Sequence, residues 1–342
     1  MLELFYYFVF FFFSIAISYY LNGYVFNAFS SNRMLDPINE RSSHISPATR
    51  TGGLSLFLSL SLCYAIAASV GLLKVPGAAV VAGVIFITLA GFVDDLISIR
   101  YREKFFLQLF SGLLIVQSGW MIDSFHGVFG IFDIPEWAGI LVSLFVFLVI
   151  VNALNLIDGL DGLASFVAIK FFLLMGGLIL ISFKELFLFF PIIVGCLVGF
   201  LGHNFRASPK VFLGDTGSLL LGSIIAFFIL YMLGSNTSII TDSFISRPLL
   251  AVLLIFYPLV DTLRAILLRS YKRKSPFVAD RIHLHHRLVD KGYEHWAASL
   301  LILCLSLFLL VLNCLLYLKL GLMLCVVMTV VFCLILYYLF FK

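Results

Sequence analysis

The stretch GILVSLFVFLVIVNALNLIDGLDGLASFVAIKFFLLMGGLILIS, residues 139–182, decides the architecture. Two apolar runs, each near the roughly 20 residues that cross a hydrocarbon core, meet at the polar run NALNLIDGLDGLA, residues 152–164. Ionisable groups at the ends of such runs are costly, so they mark sites. Asn152, Asn155, Asp158 and Asp161 recur every third residue, which predicts one polar stripe on a helix. Gly159 and Gly162, each directly after an aspartate, leave room for a ligand or another backbone. The competing reading is a polar packing seam between helices.

Outward from this joint the rest of the chain repeats the pattern. Of 342 residues, 62% are hydrophobic and only 12% charged, too little polar surface for a soluble domain of this size. The expectation is an all-α, polytopic integral membrane protein with about eleven transmembrane helices. They fall near 2–22, 52–73, 76–93, 105–122, 137–155, 162–182, 186–204, 214–233, 249–269, 297–317 and 320–341. The first run follows an acid and lacks a basic flank or small-residue cleavage pattern, which predicts a retained span and no signal peptide. With no repeat or linker, residues 1–342 are expected to form a single transmembrane domain. Cys63, Cys196, Cys304, Cys314, Cys325 and Cys333 lie in apolar runs without a CxxC pair, which predicts packing or lipid-facing roles.

Basic residues predict orientation. One set of loops holds Arg33, Arg41, Arg50, Arg100, Arg102, Lys104, Arg206, Lys210, Lys272, Arg273, Lys274, Arg281, Arg287 and Lys291. The opposite set holds only Lys74, Lys184, Arg247 and Lys319. The first set is expected to be cytoplasmic, with the N-terminus outside and the C-terminus inside. Four polar clusters then share the cytoplasmic side: Asp94-Asp95, residues 152–164, FLGDTGSLLLG at 212–222, and HLHHRL at 283–288.

Asp94 and Asp95 repel unless a cation intervenes; a solvated helix end balanced by Arg100, Arg102 and Lys104 is the plainer reading. FLGDTGSLLLG opens a span, and a helix N-terminus presents free N–H groups to phosphate, although Asp215 there is equally a candidate N-cap. The histidines, in a loop with Arg281, Arg287 and Lys291, can bind metal, relay protons or donate to phosphate. No cysteine accompanies them, and the available acids favour a hard ion over zinc. A pyrophosphate cradle is the sharper reading, surface histidines the plainer one. RSSHISPATRTGGL at 41–54 adds Arg41, His44 and Arg50.

The ordered set RSSH…PATRTGG, GFVDD, NALNLIDGLDGLA, KVFLGDTGSLLLG and DRIHLHHRL resembles the polyprenyl-phosphate N-acetylhexosamine-1-phosphate transferase superfamily, glycosyltransferase family 4. Within it the chain looks like the bacterial undecaprenyl-phosphate N-acetylglucosamine-1-phosphate transferase branch, which starts O-antigen, common antigen or teichoic acid linkage units. The muramoyl-pentapeptide transferase branch matches less well, because its consecutive histidines are here His283-Leu284-His285-His286. HNFRASPKVFLGD is one residue longer than that pattern, so Asn204 is assigned no role.

The resemblance implies transfer of N-acetylhexosamine 1-phosphate from a UDP-sugar to undecaprenyl phosphate, with release of UMP, at the cytoplasmic face of a bacterial inner (plasma) membrane. Phosphoryl transfer needs positioning and charge neutralisation. Asp95 and Asp215 are the expected ligands of Mg²⁺, with Mn²⁺ as a substitute, and Asp94 is expected to orient and deprotonate the lipid phosphate. Asn155, Asp158 and Asp161 would line the nucleotide end, with Phe212 stacked on the uracil. Lys104, His285 and His286 would neutralise phosphate charge, and His283, Arg281 and Arg50 would complete the substrate contacts. The bilayer and a second copy of the chain are candidate partners; no nucleic acid is expected. A secondary transporter is the rival from another class, but it would place polar groups near the midplane and show repeated halves. A catalytically dead, lipid-binding relative is the third reading.

Overall fold

The computed structural model describes residues 2–32, 48–74, 76–182, 184–206, 210–235, 245–273 and 282–338. Arg41, His44 and Arg281 lie outside them. In chain order the helices are α1 (Leu2–Ser31), α2 (Gly52–Ser69), α3 (Ala78–Ile97), α4 (Tyr101–Gln117), α5 (Glu136–Ile157), α6 (Leu163–Ser182), α7 (Lys184–Phe187) and α8 (Phe189–Asn204). They continue with α9 (Gly214–Leu233), α10 (Arg247–Leu254), α11 (Phe256–Tyr271), α12 (Leu284–Asp290) and α13 (His295–Leu336). Two short strands, β1 (Ala48–Thr49) and β2 (Lys210–Val211), pair in parallel.

Among the described residues, eight helices are long and apolar enough to cross a membrane, or nine if the pair α10–α11, bent by 78°, counts as one span. Two of the eleven expected spans fall within α13. At about 1.5 Å per residue, its 42 residues would reach twice the thickness of a hydrocarbon core if straight. It is broken at Gly321, at φ 69° and ψ 176°. The Asn313 amide donates to Thr329 Oγ1 at 2.9 Å, sixteen positions away, and the Phe308 and Phe332 rings lie 5.5 Å apart. The helix therefore folds back on itself as a hairpin. Asn313→Ala is expected to lower stability by about 0.6–1.7 kcal/mol, the range for polar contacts between membrane helices. Unfolding of the purified protein in detergent measures it; an unchanged midpoint would show that the hairpin is held by packing alone. A further expected span, around α4, begins with the polar Tyr101-Arg102-Glu103-Lys104, which leaves a shorter apolar run.

Residues Thr216–Leu233 of α9 are all buried; the helix packs against α2, α3, α5, α6 and α10. Around it the outer helices turn apolar residues outward, such as Phe8, Phe12 and Tyr24 on α1, as lipid exposure demands. The inner face of α1 carries buried Ser14, Ser18 and Asn22, and Ser18 donates to the Cys196 carbonyl of α8 at 2.7 Å. Lys170 of α6 is buried too, and its ammonium donates to Ser306 of α13 at 3.2 Å.

The two ends of the bundle differ. At one, Lys74 pairs with Glu185 at 2.6 Å, Asp123 accepts the Ser235 N–H at 2.7 Å, and His126 Nε2 meets the Leu233 carbonyl at 2.8 Å. His126 thus latches a loop onto α9. At the other end β1 and β2 join the α1–α2 connection to the approach to α9, and Asn204 donates to the Val211 carbonyl at 2.9 Å. Asn204 braces that strand. Here α3 comes so close to α9 that a Cβ on Gly91 would lie 2.7 Å from the Asp215 carbonyl oxygen and 2.8 Å from Thr216 Cα.

Candidate active site

Asp215 stands in the first turn of α9, on the tip of the central helix. The N-cap position is Leu213, so Asp215 is not the cap that its place in the sequence suggested. Asp95 does that work from α3: Oδ1 accepts the Asp215 N–H at 2.9 Å, and Oδ2 accepts the Thr216 N–H at 2.8 Å and the Thr216 hydroxyl at 2.6 Å. A carboxylate across an exposed helix N-terminus satisfies orphan donors and meets the positive end of the dipole. Both Asp95 oxygens are engaged there. Asp95, expected as a metal ligand, has this structural role at the start of α9.

Asp94, one residue earlier, is buried. Its Oδ1 accepts the Ile99 N–H at 2.6 Å, and its Oδ2 takes the Lys104 ammonium at 2.8 Å. The same ammonium reaches Asp215 Oδ2 at 2.9 Å. Lys104 is thus the cation that two neighbouring carboxylates require. Asn155, at the end of α5, donates through one amide nitrogen to Asp215 Oδ1 and to Ser218 Oγ.

The expected polar stripe is only partly helical, because α5 ends at Ile157. Asn152 pairs with Gln108 of α4 in both directions, at 2.8 and 3.3 Å, and so serves as a seam between helices. Asp158 follows the last turn, near the Gly214 N–H. Desolvation, reinforced by repulsion from Asp215 and Asp95, holds its carboxyl well above the usual range. Asp161 lies in the loop before α6, where Oδ2 accepts Lys210 at 2.6 Å and His295 at 2.9 Å. Burial works to raise the Asp161 pKa, but these two partners bring it below the ordinary value. Lys210 also sits 5.6 Å above the Phe212 ring, which is half-buried. Arg50 is exposed, with its carbonyl beside Gly214.

The histidine segment closes the other flank. His285 and His286 face Gly159, where a Cβ would lie 3.0 Å from His285 Nε2 and 3.6 Å from His286 Nε2. Burial carries the His285 pKa down to about 3, against the pull of nearby Asp261. His285 is therefore neutral here, and any phosphate contact it makes is a hydrogen bond between neutral donor and anion. His283 turns away: Nδ1 meets Asp261 Oδ2 at 2.8 Å and Nε2 meets Arg269 at 3.4 Å. Both ring nitrogens of His283, an expected substrate contact, are engaged within the protein.

Five residues of this end were given no site role by the sequence reading. Asp261, fully buried on α11, accepts both the His283 ring and the Leu284 N–H. Tyr257, Arg269, Lys210 and His295 are the others. The available signal was a carboxylate inside the apolar run YPLVDTLRAIL, where polar groups rarely stand without use.

A set of carboxylates, a lysine and histidines gathered at one end of apolar helices defines a polytopic membrane protein with a polar, charged cluster at that end. Residues 78–233, from α3 to α9, match the family described as glycosyl transferase family 4. The chain is 33% identical to the decaprenyl-phosphate N-acetylglucosaminephosphotransferase of Mycobacterium leprae (strain TN), over 77% of this chain and 72% of that one. It is 32% identical to the probable undecaprenyl-phosphate N-acetylglucosaminyl 1-phosphate transferase of Bacillus subtilis (strain 168), over 78% and 73%. With the undecaprenyl-phosphate alpha-N-acetylglucosaminyl 1-phosphate transferase of Escherichia coli (strain K12) the identity is 28%, over 79% and 72%. The chain belongs to the polyprenyl-phosphate N-acetylglucosamine-1-phosphate transferases of glycosyl transferase family 4.

Proposed function

We propose that this enzyme transfers N-acetylglucosamine 1-phosphate from its UDP-sugar to undecaprenyl phosphate at the cytoplasmic face of a bacterial plasma membrane, releasing UMP. The observation that carries the reading is the Asp94–Lys104–Asp215–Asn155 chain of hydrogen bonds, set at the end of membrane helices within a chain of this family. The excess of Lys and Arg in the loops at this end supports the cytoplasmic placement.

A phosphate oxygen of the acceptor attacks the phosphorus that bears the sugar, and the P–O bond to UMP breaks as the new P–O–P bond forms. A phosphate monoester has a second pKa near 6, so the acceptor is largely dianionic at neutral pH and needs no strong base. Asp94, engaged by Lys104 and the Ile99 N–H, anchors the lysine rather than serving as that base. Lys104 then turns its ammonium from the carboxylates toward the phosphates. Asp161, Lys210 and Phe212 form the flank suited to the nucleotide, and His285 and His286 the flank suited to the pyrophosphate.

The donor set also fits Mg²⁺. Asp94 and Asp215 share Lys104 as their cation, while Asp158 is raised by burial and by repulsion from Asp215 and Asp95. Among the described residues no three His, Cys, Asp or Glu side chains converge as a closed metal site, and Mg²⁺ takes one or two carboxylates plus substrate phosphates. Asp215 with Asp158 would hold it, and when bound it would offset the charge of the pyrophosphate.

The acceptor's isoprenoid tail has a berth nearby. An apolar groove of about 450 Å³ lies between α11 and the α13 hairpin, lined by residues that include Tyr257, Ile302, Leu309, Leu334 and Arg264. Tyr257 separates it from His285.

Two isotopic labels test the reaction. With ³²P in the phosphate next to the sugar, label is expected in the lipid product, and uracil-labelled nucleotide is expected as UMP. Excess UMP should drive the reaction backwards, since one phosphoanhydride replaces another. Recovery of UDP with no ³²P in the lipid would reject phosphosugar transfer.

A further inference from the structure

We infer that Tyr257 is a positioning residue that fixes the tautomer of His285, so that His285 acts as a neutral Nε2–H donor to the substrate; the inference rests on the function proposed above. Hydrogen-bond bookkeeping assigns the protons. Arginine can only donate, so His283 Nε2, 3.4 Å from Arg269, is an acceptor and the His283 proton sits on Nδ1, donated to Asp261 Oδ2 at 2.8 Å. The other Asp261 oxygen takes the Leu284 N–H at 2.8 Å. Asp261 Oδ2 is 3.7 Å from His285 Nδ1, beyond hydrogen-bond range, whereas the Tyr257 hydroxyl is 3.2 Å away.

Among the described residues the Tyr257 hydroxyl meets no hydrogen-bond partner other than His285 Nδ1. Its hydrogen is then free to donate to His285 Nδ1, and a neutral imidazole acceptor at Nδ1 carries its proton on Nε2. That Nε2 is buried and has no partner among the described residues, and it points at Gly159, between His286 and the Asp158 loop. An unmet buried donor is costly, and a phosphate or sugar oxygen seated over Gly159 would satisfy it.

Glutamine places an amide NH₂ near the position of Nε2 but carries no imidazole proton exchange, so it separates a donor from a cation or a base. His285→Ala is expected to lower kcat by about 10²–10³-fold, the scale for loss of one donor to developing charge. His285→Gln should recover to within about 10-fold of wild type. Tyr257→Phe should lower kcat about 10-fold with KM for the UDP-sugar unchanged. It should change nothing further when combined with His285→Gln, because residues acting through one another are not additive. The ¹⁵N spectrum of histidine-labelled protein in detergent gives a readout independent of turnover: a protonated Nε2 on His285 in the wild type, and a mixture of tautomers in Tyr257→Phe. A glutamine variant as inactive as alanine, an undiminished Tyr257→Phe effect in the double variant, or a wild-type Nδ1–H tautomer would each overturn the inference. Unlike the kinetic results, the spectrum stays decisive if the isotopic experiment identifies a different reaction.

Discussion

Asp215→Asn is expected to cut turnover by about 10³-fold or more, while the folded yield and the unfolding midpoint in detergent stay near wild type. The carboxylate faces Lys104 and Asn155 through side chains that an amide can still engage, Lys104 at its oxygen and Asn155 after an amide flip. The substitution removes one of the two charges that share Lys104, and electrostatic terms of this kind dominate phosphoryl transfer. Asp95→Asn is expected to do the reverse. Its two oxygens accept three donors at the start of α9, and an amide has one accepting oxygen, so at least one buried donor is lost at a cost of about 1–3 kcal/mol. Activity per folded molecule should fall much less than in Asp215→Asn. Mg²⁺ titrations and thermal unfolding of both variants separate the roles. A normal midpoint with complete loss of turnover in Asp95→Asn would return Asp95 to the metal.

Gly91→Ala is expected to damage folding and turnover together, through a single methyl group. Its Cβ would fall on the backbone of Asp215 and Thr216, at 2.7–2.8 Å, where no side chain can swing aside. Either α3 retreats, pulling Asp95 off the α9 N-terminus, or α9 shifts and carries Asp215 with it. Overpacking costs about 1–3 kcal/mol, and a displacement near 1 Å at a reacting group costs about 10²-fold in rate. Gly177→Ala, on α6 where a Cβ would meet nothing within 4 Å, is the matched control and should be silent in both assays. Equal behaviour of the two variants would refute the close approach of α3 to α9.

The sequence makes the membrane helices legible because twenty apolar residues in a row have few other uses. It fails where geometry lies between elements. The pair α10–α11 bends by 78° within one apolar run; Pro258, in the first turn of α11, marks a helix start there but not the angle. Asp94, Asp95, Lys104, Asn155, Asp158 and Asp215 could be grouped in advance because acids at span ends are rare. Their division of labour could not: Asp94 and Asp95 are adjacent, yet one pairs with a lysine and the other caps a helix in trans. His283 and His285 look equivalent in HLHHRL, and only Asp261, Arg269 and Tyr257, all on α11, tell them apart. Lys170 passed unnoticed in the middle of α6, where its burial against Ser306 depends on which face α13 covers.

The complete enclosure of α9 reaches beyond packing. Helices that touch lipid tilt or shift when the bilayer is thicker or thinner than they are, at a cost of fractions of a kcal/mol per Å of mismatch. Those movements belong to α1 and the α13 hairpin, whose outward residues, among them Phe12 and Met323, are exposed. Asp215 is mounted on a shaft that lipid does not reach, while Asp95 and Lys104 come from α3 and α4, which also expose Leu89 and Phe110. The position of Asp215 should hold across bilayers of different thickness, while the approach of Asp95 and Lys104 to it, and capture of the lipid acceptor through the outer helices, follow the membrane.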